Sequence, residues 1–169
     1  MTPKHPSDSL TVLTDLVLPS ETNPLNNLFG GELLARMDRA ASITAQRHCR
    51  RVAVTASVNH VAFNRAIALG SVVTIEAKVS RSFKSSMEIY IDVWIEDRMT
   101  GIKSKANEAI YTFVAVDEYG KPVEVPAVVP ETELEKSRYE GALRRKQLSL
   151  VLAGKMNPHE ATELKALFI

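Results

Sequence analysis

One aspartate stands at the margin of an otherwise apolar helical stripe, and of all the residues in this chain it is the best placed to do chemistry. From Gly31 to His48 apolar side chains recur at three- and four-residue intervals (Leu33, Leu34, Met37, Ala40, Ala41, Thr44), the period of a helix with one buried face. At 100° per residue Asp38 lies about 40° from Leu34 and about 60° from Ala41, on the edge of that face. A carboxylate there either reaches solvent or a neighbouring cation, or stays half-desolvated, which raises its basicity and suits a general base or nucleophile. Seven residues earlier the helix opens on Gly30-Gly31. Two glycines can serve close packing alone. They also bare N–H groups at the positive end of the helix, an arrangement that stabilises a developing oxyanion.

Other chemistries find less support. Cys49 follows His48, but successive helical residues do not face each other, and Arg47-His48-Cys49-Arg50-Arg51 reads as a solvated helix end. The four histidines (His5, His48, His60, His159) show no metal-ligand spacing, and no phosphate-binding loop, dinucleotide fingerprint or GxSxG elbow is present. No metal and no separate cofactor is therefore expected. Lys84-Ser85-Ser86 offers a cation, two hydroxyls and turn amides, either an ordinary polar hairpin or a phosphate holder. Arg144-Arg145-Lys146 is open in the same way, since charge runs are commonly solvated faces.

These residues need a scaffold, and the hydrophobic period supplies one. Thr11 to Leu18 reads as a first strand and Pro19 to Asn27 as a loop. After the helix the period falls to two: Val52 to Val58, then Val73 to Val79, then Met87, Ile89, Ile91, Val93 and Ile95 alternating with polar and aromatic residues, then Ala109 to Val116. The turns between them are too short for crossover helices, so the sheet is expected to be antiparallel. One apolar helix before an antiparallel meander predicts an α+β fold with the sheet wrapped on that helix. Pro122, Pro126 and Pro130 mark the exit from the sheet, Glu131 to Ala153 reads as a charged helix, and the tail holds a second short helix at most.

Composition bounds the partners. The 169 residues carry 21 basic and 20 acidic side chains, a formal charge of +1, which leaves no electrostatic footprint for nucleic acid. No apolar stretch approaches the roughly 18 residues of a membrane span. The polar residues from Met1 to Leu10 lack a signal-peptide run, and the one cysteine cannot form an internal disulfide; a cytoplasmic protein is expected.

Pro19-Ser-Glu-Thr-Asn23-Pro-Leu-Asn-Asn27-Leu-Phe-Gly30-Gly31 followed by Met37-Asp38 resembles the acyl-CoA thioesterase branch of the hotdog superfamily, the brain-type cytosolic acyl-CoA hydrolases and their bacterial single-domain relatives. Val54-Thr55-Ala-Ser-Val58, Ser86-Met-Glu-Ile89, Ala106 to Asp117 and Tyr139-Glu140 with the basic run after it fit the same family in the same order. The resemblance implies a hotdog domain over 10–130, between a flexible N-terminus (1–9) and a C-terminal helical extension (131–169). It implies edge-to-edge dimers, usually assembled as a trimer of dimers. It implies hydrolysis of acyl-CoA to free fatty acid and coenzyme A, with Asn23, Asp38 and Thr55 as functional residues and with aspartate and asparagine drawn from opposite subunits. On this reading the coenzyme A part of the substrate meets Lys84, Ser85 and Ser86, and Arg144 and Arg145 beyond them. Phe29 stands where many relatives carry histidine. The rival reading is a non-catalytic hotdog that binds acyl-CoA as a sensor or regulator, since a fold does not dictate its chemistry. A hotdog hydratase ranks lower, because no histidine lies at a suitable spacing from Asp38.

Overall fold

A helix whose buried stripe is rich in alanine lets a sheet approach closely and curl around it. A computed structural model of the chain, describing residues 1–168, has this arrangement in the first of its two compact units, Met1–Val129. A short helix α1 (Pro6–Ser9) leads into β1 (Thr11–Leu16), the long helix α2 (Gly30–Cys49), and strands β2 (Val52–Asn59), β3 (Val72–Ser82), β4 (Ser86–Glu96) and β5 (Lys103–Val116). The strands form one antiparallel sheet in the order β1-β3-β4-β5-β2. Ala40, Ala41, Ala45 and Met37 on α2 are fully buried, as are Met87, Ile89, Ile91 and Val93 on β4. Burying each of the larger side chains is worth about 1.5–3 kcal/mol, so the alternation that predicts β4 is also a large part of what holds it.

Three details depart from the sequence reading. β5 starts at Lys103, six residues before the expected Ala109. Its first turn of sequence is polar, so it carries no apolar period; it is held by ladder pairing up to Glu96↔Lys103 and by Lys105, which pairs with Asp92 at 2.7 Å and also with Glu108. The end of α2 is not a solvated run, because His48 is fully buried and Cys49 nearly so while Arg47, Arg50 and Arg51 are exposed. The basic residues mask two inward-facing positions on one helical turn. Finally, residues ahead of β1 are engaged in the fold. Lys4 exchanges backbone hydrogen bonds with Ala127 and Val129, and its ammonium donates to the carbonyls of His48 (2.7 Å) and Arg47 (3.2 Å), the open C-terminal acceptors of α2.

The second unit begins at Pro130. Thr132 caps α3 (Glu133–Leu152) by accepting from the Glu135 amide, and the Glu135 carboxylate accepts from the Thr132 amide in return. The Leu164 amide, in α4 (Thr162–Lys165), donates to the Gln147 side chain of α3.

His48 gives this fold a pH dependence. Its Nε2 donates to the Pro126 carbonyl (2.8 Å), so the neutral tautomer leaves Nδ1 bare, and that atom is buried without a partner among the described residues. Burial pushes the imidazole below its ordinary 6.5, outweighing the Pro126 bond, which favours the charged form. Between the folded and unfolded values the unfolded chain binds a proton that the native one does not. Stability from this source is therefore complete above about 6.5 and is lost as pH falls through the folded value. Thermal melts should show Tm falling on acidification from about pH 7 to about pH 5, and His48→Gln, which still donates but does not titrate, should flatten that slope.

Candidate active site

The segment before α2 is a scaffolded loop. Arg36, buried on α2, donates to the Leu16 carbonyl (2.8 Å) and to the Glu21 carboxylate (2.7 Å). A hydrogen bond from the Leu18 amide, then the Arg36 guanidinium, hold Glu21 below the usual carboxylate range. Glu21 in turn accepts the Phe29 amide on its own carbonyl. The loop between these fixed points carries Asn23. Its side-chain oxygen accepts from the Leu25 and Asn27 amides (3.0 and 3.1 Å), which assigns the amide orientation and uses up both lone pairs. What remains of Asn23, among the described residues, is a pair of uncommitted N–H donors. Asn27, the nearer asparagine to the glycines, is tied into the loop by its backbone.

Gly30 and Gly31 are the first residues of α2, and Phe29 ahead of them offers no side-chain cap. The first intrahelical bond is made by the Leu33 amide to the Phe29 carbonyl, so the amides of Gly30, Gly31 and Glu32 point out of the helix start without acceptors among the described residues.

Asp38 lies two turns further along, half-buried, and meets β2. Thr55 Oγ donates to Asp38 Oδ1 at 2.7 Å. A β-bulge between Thr55 and Ser57 breaks the β2–β5 register at this point, as bulges do where a strand must re-aim a side chain. The one proton of the threonine is spent on the carboxylate, which is thereby held as an acceptor, with Oδ2 open among the described residues. Tyr111 on β5 completes the surroundings. Its hydroxyl donates to the Leu34 carbonyl (2.9 Å), the same oxygen that helical geometry gives to the Asp38 amide. Burial first, and the facing Asp38 carboxylate second, push the phenol up to about 12, so it remains a donor.

Thr55, Phe113 and Met87 lie in one row across β2, β5 and β4, and Met87 directly follows Ser86. The Lys84-Ser85-Ser86 turn is therefore roughly 10 Å sideways from Thr55, two strand spacings. It is a tight turn: Phe83 donates to the Ser86 carbonyl, while the carbonyls of Lys84 and Ser85 accept from Val125 and Ala115, which leaves the ammonium and both hydroxyls uncommitted among the described residues. Arg144 and Arg145 lie on α3 in the second unit, where Arg145 folds back to donate to the Arg138 carbonyl across Gly141. Among the described residues no three His, Cys, Asp or Glu side chains converge as a metal cage requires.

A family model described as the thioesterase superfamily matches residues 25–102. The chain is 46% identical over 138 residues to YkhA of Bacillus subtilis, an uncharacterised acyl-CoA thioester hydrolase, covering 82% of this chain and 80% of that one. A solved apo-hexameric acyl-CoA thioesterase superposes with a TM-score of 0.87 at 39% identity, over 90% of this chain and 98% of the other. An acyl-CoA hydrolase of Staphylococcus aureus, solved with butyryl coenzyme A, coenzyme A and coenzyme A disulfide, superposes with a TM-score of 0.86 at 33% identity, over 99% and 100%. That hydrolase has also been solved with alanine in place of an asparagine, an aspartate and a threonine. Along its sequence those three lie 15 and 17 residues apart, the intervals between Asn23, Asp38 and Thr55.

Replacing the Tyr111 hydroxyl isolates its tie to the helix turn that bears Asp38. Tyr111→Phe should cost about 1 kcal/mol in urea denaturation, the net value of one such hydrogen bond, because the Leu34 carbonyl keeps its helical partner.

Proposed function

The chain belongs to the thioesterase superfamily as an acyl-CoA thioester hydrolase, and from this we propose a mechanism in which Asp38 is the base or nucleophile and the α2 start binds the oxyanion. In the general-base form, Asp38 Oδ2 takes a proton from water as the water oxygen attacks the thioester carbonyl carbon. The C–S bond then breaks, and coenzyme A leaves as a thiolate that recovers the proton from Asp38. In the covalent form the carboxylate attacks first and water hydrolyses the resulting anhydride. A thiolate is a good leaving group in either route, so the chemistry calls for no metal.

The single observation that carries the reading is the Thr55–Asp38 hydrogen bond, because it fixes an acceptor carboxylate with one oxygen left for a proton. Asn23 has only N–H donors to offer, which suits binding the carbonyl oxygen better than accepting a proton from water. The Gly30 and Gly31 amides would share that oxygen. Lys84, Ser85 and Ser86 are proposed to hold phosphates of the coenzyme A moiety. An acyl-CoA sensor would have no use for the Thr55–Asp38 arrangement, and release of free thiol from acyl-CoA discriminates the two.

Distance argues for a shared site. Gly31 and Asp38 are seven residues apart on one helix, about 10 Å along its axis, whereas attack and oxyanion binding both occur within about 3 Å of one carbonyl group. That separation favours a site in which the glycine amides of one chain and Asp38 of another meet the same carbonyl. The open edge of β2, where Val52, Val54 and Val58 are exposed, is the proposed pairing surface for a second copy, and a hexamer built from such dimers is the proposed assembly. A reduced, buried Cys49 suits a cytoplasmic location.

Asp38→Ala should fold and assemble yet lose at least about two orders of magnitude in turnover, measured as thiol release from a panel of acyl-CoAs; near-normal turnover would defeat the mechanism. Complementation tests the sharing. Asp38→Ala and Asn23→Ala chains, each inactive alone, should regain activity when co-expressed, towards about a quarter of wild type if half the dimers are mixed and each mixed dimer has one intact site. No recovery would place both residues in one subunit's site.

A further inference from the structure

An aromatic ring that the mechanism does not use stands at the helix start where the thioester is proposed to bind. Phe63, in the segment joining β2 to β3, is 55% exposed. Its tip nevertheless meets Gly30: a Cβ on Gly30 would lie 3.2 Å from Phe63 Cζ and 3.4 and 3.6 Å from the two Cε atoms. Most exposed loop aromatics have freedom to swing away, but the backbone around this one is fastened on both sides. In the orientation that satisfies its amide, buried Asn107 on β5 donates to the Ala62 carbonyl at 2.7 Å. Arg65 donates to the Ser104 hydroxyl, also on β5, at 2.7 Å. Ahead, the Leu28 amide donates to the Ile67 carbonyl and the Leu69 amide to the Asn26 carbonyl (2.7 and 2.8 Å), which lashes the same loop to the residues entering α2.

We infer that Phe63 is a specificity-determining residue, whose ring walls the space beside the first amides of α2 and limits how much bulk the acyl group carries next to the thioester carbonyl. The inference rests on the oxyanion reading of Gly30-Gly31 given above. A carbonyl oxygen held by those amides would set the acyl carbon beside it against whatever covers Gly30, and that is the ring tip. An apolar ring accepts hydrocarbon and offers nothing to a phosphate, so the acyl side of the substrate is the matching part. Glycine at position 30 fits the same account, since a methyl group there would press on the ring.

The test is the ratio of kcat/KM for isobutyryl-CoA and benzoyl-CoA to that for butyryl-CoA. Phe63→Ala should raise both ratios by about tenfold or more, the scale of a methylene or two in an apolar pocket, and Phe63→Leu should move them less in the same direction. Gly30→Ala should lower them, and adding Phe63→Ala to it should remove that loss, so that the pair is non-additive. If Phe63→Ala does not assemble, Phe63→Leu and Gly30→Ala decide. An active wild type whose ratios stay within about twofold in these variants overturns the role of Phe63 alone. A wild type that releases no thiol from any acyl-CoA overturns the hydrolase reading and this inference with it.

Discussion

The contact on which the rest turns is a single hydrogen bond between an edge strand and the central helix. Thr55 and Asp38 are joined at 2.7 Å only because β2 bulges at that residue and because α2 presents the margin of its apolar face to that strand. Either element alone leaves a solvated carboxylate. Together they hold the carboxylate with one oxygen committed to Thr55, the arrangement that the proposed base would use. Much of the surrounding structure maintains that register: Tyr111 fixes the helix turn, and the curled sheet sets how close β2 can come.

A second constraint is length. The helix that carries Asp38 also offers amides at its start that are unpaired among the described residues, but rise per residue keeps the two apart. A curled sheet with an unpaired edge on the very strand that holds Thr55 answers this geometry, because pairing along that edge would set a second helix beside the first. Assembly and chemistry would then be properties of the same strand, which is a tighter coupling than a fold with a self-contained cleft would impose.

What could be read from the sequence was what burial imprints on it. The stripe from Leu33 to Thr44 and the alternation from Met87 to Ile95 were legible because one face of each element is excluded from water. The polar start of β5 was not, since ladder pairing and a charge pair leave no apolar period. Nor was the inward turn of His48 and Cys49, hidden among three arginines. Asp38 stood out by its angle on the helix, but Thr55 was singled out only by family resemblance, as nothing local in either segment reports on the other. Phe63 raised no signal at all: its meaning depends on a glycine 33 residues away and on two polar anchors on β5.

The clasp at the far end of α2 has a practical side. Lys4 sits in the stretch that anyone trimming the protein to a minimal domain would discard, yet it is this ammonium that occupies the last carbonyls of the helix, while its backbone is stitched to the strap at Ala127 and Val129. Deleting those leading residues would let the helix fray from the end remote from the reaction, and a loss of activity would then reach the Asp38 turn by unwinding rather than by any change in the groups that touch substrate.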